Sequence, residues 1–179
     1  DGVCLNEHHQ TAYGMMPIPG VLAGALARSV KRAKVAVLGR ALPLLNNPLM
    51  VAEEYAMIDN MSGGRLIAGL AIGGGPEAFN YNVPQPQARA QFWEGVDLIK
   101  RAWTEPGPFE HDGKYYPLRY VNLWPQPRQR LQHARARREA AAAGAAAGAA
   151  GRAAATAAVT ALIMGYFRAS RPCSAAAQR

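Results

Sequence analysis

Apolar and polar positions follow two rhythms along this chain, and the clearest change of rhythm falls within residues 47–71, NPLMVAEEYAMIDNMSGGRLIAGLA. Leu49, Ala52 and Ala56 make one stripe at helical spacing, widened by Val51, Tyr55 and Ile58, as expected of a helix with one buried face. Asn47 suits the capping position, and Pro48 the first helical position, where no amide hydrogen is needed. Glu53 and Glu54 lie toward the N-terminal half, where a carboxylate suits the helix dipole. Gly63 and Gly64 end the helix, because glycine reaches the left-handed backbone that stops one. Residues 65–71 are then nearly all apolar, the pattern of a strand buried on both faces.

The same grammar extends in both directions. Residues 2–6 (GVCLN) predict a short buried strand that leads directly into Glu7, His8 and His9. Residues 10–20 predict a loop, and residues 21–31 a helix with Val21, Leu22, Ala25, Leu26 and Ser29 at helical spacing. Residues 34–39 (KVAVLG) predict a β-branched strand, and residues 40–46 the loop after it. Residues 72–87, rich in Gly and Pro, predict a second long loop before a helix at 88–104 that buries Phe92, Val96, Ile99 and Trp103. Residues 109–111 and 114–116 flank Asp112 and Gly113, a two-residue hairpin turn by composition. Strand, helix, strand, helix, strand, helix is the order of an α/β fold with a parallel sheet, open or closed as a barrel.

Charge divides the chain in two. Residues 1–127 hold 11 Lys+Arg and 11 Asp+Glu, whereas residues 128–179 hold 9 basic residues and one acid, Glu139. The net +8 therefore belongs to the last third, and the basic balance says nothing about the front part. That last third reads LQHARARREAAAAGAAAGAAGRAAATAA, with no alternation and no turn signals. Its alternatives are an Ala-rich helix, or the composition that a GC-rich gene yields in the wrong reading frame. Residues 153–167 are uncharged but shorter than the ~20 residues that span a bilayer, so no membrane segment is expected. The basic stretch has no interleaved aromatics before Tyr166, and specific nucleic-acid binding is not expected. Cys4 and Cys173 imply no disulfide framework, which points to a reducing cytoplasm.

Four ordered pieces then carry a family resemblance: NEHH at 6–9, LPLLNNP at 42–48, AEEYAMIDNMSGGRLIAG at 52–69 and FEHDGKYYPLRYVNLWPQP at 109–127. Together they resemble the bacterial luciferase-like flavin monooxygenases over nearly all of residues 1–127. The resemblance implies a (β/α)₈ barrel with its site at the C-terminal ends of the strands. Its pattern places Asp1 at the start of the second barrel strand. The expected fold is therefore a partial barrel, about strands 2–4 with their helices at residues 1–127, followed by a low-complexity tail at 128–179. The opening on Asp1 likewise suggests a piece of a longer gene.

The resemblance further implies reduced flavin mononucleotide (FMN), or a deazaflavin coenzyme, as cofactor. The partners implied are O₂, a small organic substrate and a flavin reductase that supplies the reduced flavin. A homo-oligomer is implied for a full-length member. Because the family's phosphate contacts come mostly from later strands, the chain alone is expected to bind flavin weakly and to turn over nothing. The competing class is a non-catalytic product whose sheet edges are unpaired.

The candidate chemistry sits where strands end. His8 and His9 follow the first strand directly; by themselves they are either a loop pair or a proton-transfer site. By resemblance His8 matches the family's proton-transfer histidine, with His9 as support. Glu7 either holds one imidazole nitrogen or faces water. Asn6 joins the cofactor-binding candidates at this rim. Arg40 and Ala41 follow the second strand where the family backbone passes under the flavin ring; Arg40 either meets the ring's polar edge or lies on the surface. Gly69, Ala71 and Ile72 belong to GLAIGGG (69–75), a Gly-rich strand end that lacks the Lys and Ser/Thr of a phosphate loop and the GxGxxG spacing. Some members carry an arginine where Ile72 stands, so the chain departs from the pattern at one flavin contact. His8, His9 and the remote His111 share no ligand spacing, and no metal site is expected. Trp93, Trp103 and Trp124 read as packing residues.

Overall fold

A computed structural model describes residues 2–129 of the chain. The Ala/Arg-rich stretch discussed above lies outside the described residues. Strand β1 (Gly2–Leu5) leads through a loop to α1 (Pro19–Ser29), then β2 (Lys34–Ala41) and a single 3₁₀ turn at Leu42–Leu44. Helix α2 (Leu49–Ser62), β3 (Leu66–Ala71), α3 (Gly75–Asn80) and α4 (Gln85–Thr104) follow, and β4 (Phe109–His111) and β5 (Leu118–Val121) close the described chain. The first three strands form one parallel sheet in the order β1-β2-β3. The last two form a separate antiparallel pair.

The central helix and strand behave as their pattern demands. Asn47 Oδ1 accepts the Leu49 amide at 2.9 Å, so its side chain satisfies one of the amides that a helix start leaves free. Gly63 ends α2 at φ 71°, and Gly64 returns its amide to the Asp59 carbonyl at 2.9 Å. The inward stripe Val51, Ala52, Tyr55, Ala56 and Ile58 is buried. Val35, Val37, Leu66 and Ala68 are buried in adjacent parallel strands, with Ile67 half-buried. Phe92, Val96 and Ile99 of α4 complete the core; burying each such side chain contributes about 1.5–3 kcal/mol.

Several expectations need correction. Only Leu5 of β1 is buried, because β1 pairs with β2 alone and Val3 and Cys4 stand at a sheet edge. Helix α1 starts at Pro19 and docks through Ala23 and Ala27, leaving Val21 and Leu22 exposed. Small residues let it approach α2 closely: a Cβ at Gly20 would collide with the Glu54 carboxylate. Strand β2 runs on through Arg40 and Ala41, so these are not loop residues. Residues 72–87 are not one loop, since α3 and the first turn of α4 lie there, each admitting a proline in its first turn. The hairpin's second strand is Leu118–Val121 rather than 114–116. Glu94 is the cause: its carboxylate accepts the amides of Lys114, Tyr115 and Tyr116, tying that segment to α4 instead of to β4. Trp103 packs and donates to the Ala52 carbonyl, and Trp93 meets Phe92 edge-on, but Trp124 is 72% exposed and packs on nothing that buries it.

Candidate functional site at the strand ends

The three parallel strands end at one place. Asn6, Glu7 and His8 leave the end of β1; Leu38, Gly39 and Ala41 belong to the end of β2; and Ala71 to Gly75 leave the end of β3. With Glu77 from α3 and Gln85 and Arg89 from α4 they line a half-open cavity of about 450 Å³, a usual size for a cofactor or substrate site. Between Val37 and Arg40, β2 carries one residue more than β3 opposite it, and this bulge brings Leu38 and Gly39 to the cavity wall. A Cβ on Gly39 would sit 2.7 Å from the Gly69 carbonyl carbon, so no other residue fits that crossing.

The two histidines are held by two different carboxylates. Glu7, buried, accepts from His9 Nε2 at 3.0 Å, from the Ala41 amide at 3.2 Å and from the Arg40 guanidinium. Glu7 thus serves His9 and the end of β2, and does not face water. His8 Nδ1 instead meets Glu77 Oε1 at 3.1 Å, and the same oxygen accepts the His9 amide at 3.1 Å. Tyr81 Oη lies 3.0 Å from His9 Nδ1. His8 is half-buried and lines the cavity, whereas His9 is buried behind it.

Arg40 is neither a surface residue nor a lining one. It is buried between Glu7 and Glu54, 3.4 Å from the latter, and its Nε has no partner among the described residues. Gly69 is also absent from the lining; its carbonyl accepts the Tyr55 hydroxyl at 2.6 Å. Of the residues singled out from sequence, the fold therefore brings Asn6, Glu7, His8, Ala41, Ala71 and Ile72 to one cavity, and leaves His9, Arg40 and Gly69 one layer behind.

Electrostatics follow from this layering. Burial raises the Glu54 carboxyl above its ordinary value; Arg40 pulls it down and Glu7 pushes it up again. Burial also works to raise Glu77, but hydrogen bonds from the Gly74 and His9 amides and from His8 outweigh it, leaving Glu77 below the ordinary carboxylate range. Burial pushes the Tyr55 hydroxyl well above the usual tyrosine value. No group of three or more His, Cys, Asp or Glu side chains able to hold a metal occurs among the described residues.

Leu38, Gly39, Glu77, Gln85 and Arg89 line the cavity but escaped sequence reasoning. Glu77 carries a local signal, a Gly74-x-x-Glu77 pattern in which the side chain caps its own helix through the Gly74 amide at 3.1 Å. Arg89 carries none: on α4 it reads as an ordinary solvent-facing cation, and only the placement of α4 beside the strand ends brings it to the cavity. It takes part in no ion pair among the described residues.

A parallel α/β sheet with a bulged middle strand, a half-open cavity at its C-terminal edge and a carboxylate-held histidine on the wall has the layout in which α/β folds commonly place small-molecule sites. Comparison with known sequences sharpens this: the chain belongs to the luciferase-like monooxygenase family, whose profile matches residues 1–172. The alkanal monooxygenase alpha chain of Photorhabdus luminescens is 31% identical over 128 residues, covering 70% of this chain and 34% of the relative. The oxygenase component of the flavin-dependent trigonelline monooxygenase of Acinetobacter baylyi is 29% identical over 126 residues, covering 69% and 34%. Among solved structures, monooxygenase RslO1 of Streptomyces bottropensis superposes with a TM-score of 0.67 at 30% identity, over 72% of this chain and 39% of that one. An F420-dependent secondary alcohol dehydrogenase shares the fold, with a TM-score of 0.63 at 21% identity, over 72% and 41%. The chain thus spans about a third of the length of these curated relatives. No described helix is long and apolar enough to cross a membrane.

Proposed function

We propose that residues 2–129 supply one wall of a flavin site, as part of a (β/α)₈ barrel that oxygenates a small organic substrate with reduced flavin and O₂. The observation that carries this reading is the convergence of His8, the bulge at Leu38–Gly39 and Arg89 on one cavity. The donor set suits the cofactor. Leu38, Ala41, Ala71 and Ile72 offer an apolar, low-profile floor for a flat ring. Asn6 and Gln85 offer amides for its polar edge and side chain, and Arg89 offers an unpaired guanidinium for a phosphate.

Reduced flavin, when bound, supplies the electron pair that activates O₂, one oxygen atom going to the substrate and the other to water. Forming that water consumes protons, and His8 is the group on the cavity wall that can hold and deliver one at a ring nitrogen. In a closed barrel, the apolar residues Leu38, Ala41, Ala71 and Ile72 would help keep water from the reacting face. Glu7 and Arg40 hold the end of β2, and so the floor, in place from behind. A deazaflavin coenzyme would use the same wall; the fold shared with an F420-dependent alcohol dehydrogenase supports this second reading. A separate reductase as electron donor fits the oxygenase-component relative, and a cytoplasmic, oligomeric protein accords with both readings.

Flavin titration tests the proposal. The chain should bind FMN weakly but more tightly than riboflavin, which lacks the phosphate, and Arg89→Ala should remove that difference. In the whole enzyme His8→Ala should lower oxygenation by roughly 10²-fold, with flavin affinity little changed. Tighter binding of F420 than of FMN would favour the deazaflavin reading. Equal affinity of FMN and riboflavin for the unmodified chain would remove Arg89 from the site.

A further inference from the structure

The adjacent histidines at the end of β1 are built to do different things, and the difference lies in which ring nitrogen each carboxylate engages. An ionised carboxylate can only accept hydrogen bonds. Glu77 is held in that form by two backbone amides, Gly74 on Oε2 and His9 on Oε1, each at 3.1 Å. The nitrogen that faces it, His8 Nδ1 at 3.1 Å, must therefore carry the hydrogen. Glu7 is likewise held as an acceptor by the Arg40 guanidinium and the Ala41 amide. There the facing nitrogen is the other one, His9 Nε2 at 3.0 Å. His9 Nδ1 is completed by Tyr81 Oη, which can donate to it.

We infer that His8 and His9 are fixed in opposite tautomers, His8 with its hydrogen on Nδ1 and His9 with its hydrogen on Nε2, and that Glu77 is the positioning residue that leaves His8 Nε2 as the free base of the cavity. His9 has both ring nitrogens engaged and is 9% exposed, so it has no lone pair to offer a bound molecule. His8 Nε2 has no partner among the described residues, and the ring lines the cavity. Glu77 does more than turn a ring. Because one carboxylate oxygen takes both His8 Nδ1–H and the His9 amide, it also fixes the peptide between the two rings. Its second oxygen anchors that unit to Gly74 on the loop after β3. The assignment of a catalytic proton to His8 rests on the flavin reading above; the tautomers do not.

The test is long-range proton–nitrogen NMR on the full chain without flavin, near pH 8, above the ordinary histidine pKa of about 6.5, with the rings assigned through His8→Gln and His9→Gln. His8 should show a protonated Nδ1 and a bare Nε2, and His9 the reverse. Glu77→Ala should return His8 to the Nε2–H form that an unconstrained imidazole prefers, while His9 keeps its own through Glu7 and Tyr81. Glu77→Gln, whose amide oxygen can still accept, should keep His8 in the Nδ1–H form while the Gly74 amide exchanges faster. The same tautomer in both wild-type rings would overturn the inference, as would an unchanged His8 ring in Glu77→Ala. Should the alanine variant fail to fold, the wild-type and Glu77→Gln spectra decide by the same signs. A chain with opposed tautomers and no flavin affinity would retain this inference and lose the flavin reading; the converse result would do the opposite.

Discussion

Gln129 donates to the buried carboxylate of Asp59 twice, from its backbone amide at 2.8 Å and from its side-chain amide at 2.6 Å. The side-chain amide also reaches the Leu66 carbonyl at 2.9 Å. Asp59 lies on the inner face of α2 and is 1% exposed, so its oxygens rely on these donors rather than on bulk water for hydrogen bonds. Gln129 therefore packs against α2 and β3. Gln129→Ala keeps one donor and loses the other; it should cost about 1–3 kcal/mol, the usual effect of leaving a buried acceptor short of a partner. Urea unfolding checks this, and a loss below a few tenths of a kcal/mol would mean that water replaces the amide.

The close crossing beneath the cavity gives a second test. A Cβ on Gly69 would run into the Val37 carbonyl oxygen, which is backbone and cannot swing aside. Gly69→Ala should therefore destabilise the fold by about 1–3 kcal/mol or more. Gly75→Ala, where nothing stands within 4 Å of the added atom, should be nearly neutral. Equal thermal midpoints for the two variants would contradict the crossing.

Arg40 holds one buried acid, Glu7, and one half-buried acid, Glu54, and its removal should be costly. Arg40→Met keeps much of the stem but leaves the buried Glu7 and the half-buried Glu54 without a cation. Breaking a buried pair in this way costs about 3–5 kcal/mol. Adding Glu7→Gln to that variant should recover part of the loss, because the more deeply buried of the two unpaired charges is then gone. A double variant no more stable than Arg40→Met, in denaturant unfolding at pH 7, would argue against that charge as the cause.

Glu77 predicts a pH dependence with a definite sign. Its pKa is lowered on folding, so the unfolded chain binds its proton more readily than the folded one. Its contribution to stability is complete above the ordinary glutamate value of 4.5 and is lost as the pH falls through the lowered folded value. Glu77→Gln should flatten the acid limb of the stability–pH curve and leave the neutral region parallel to wild type. An unchanged acid limb would show that Glu77 is not held ionised by its amides.

The order of elements and the parallel pairing were legible because they rest on local periodicity: the 47–71 unit carries its cap, its stripe and its stop signal within its own residues. Errors arose where a distant side chain set the local structure. Lys114 to Tyr116 lost their strand because Glu94, twenty or more residues earlier, takes their amides. By residue type Trp124 is a packing residue, yet burial depends on what lies opposite, and Trp124 is 72% exposed.

The candidate site divides along the same line. The sequence by itself determined that His8, Ala41, Ala71 and Ile72 stand at strand ends, because a short apolar run closed by polar or Gly-rich residues marks where a strand stops. The ordered motifs likewise marked the family. Only the tertiary structure decided which carboxylate serves which histidine, that Arg40 turns inward to Glu7 and Glu54, and that Arg89 comes to the cavity. Those pairings join residues tens of positions apart in the chain. Their partners are chosen by how the strand ends and helices are brought together, and no local spacing encodes that choice.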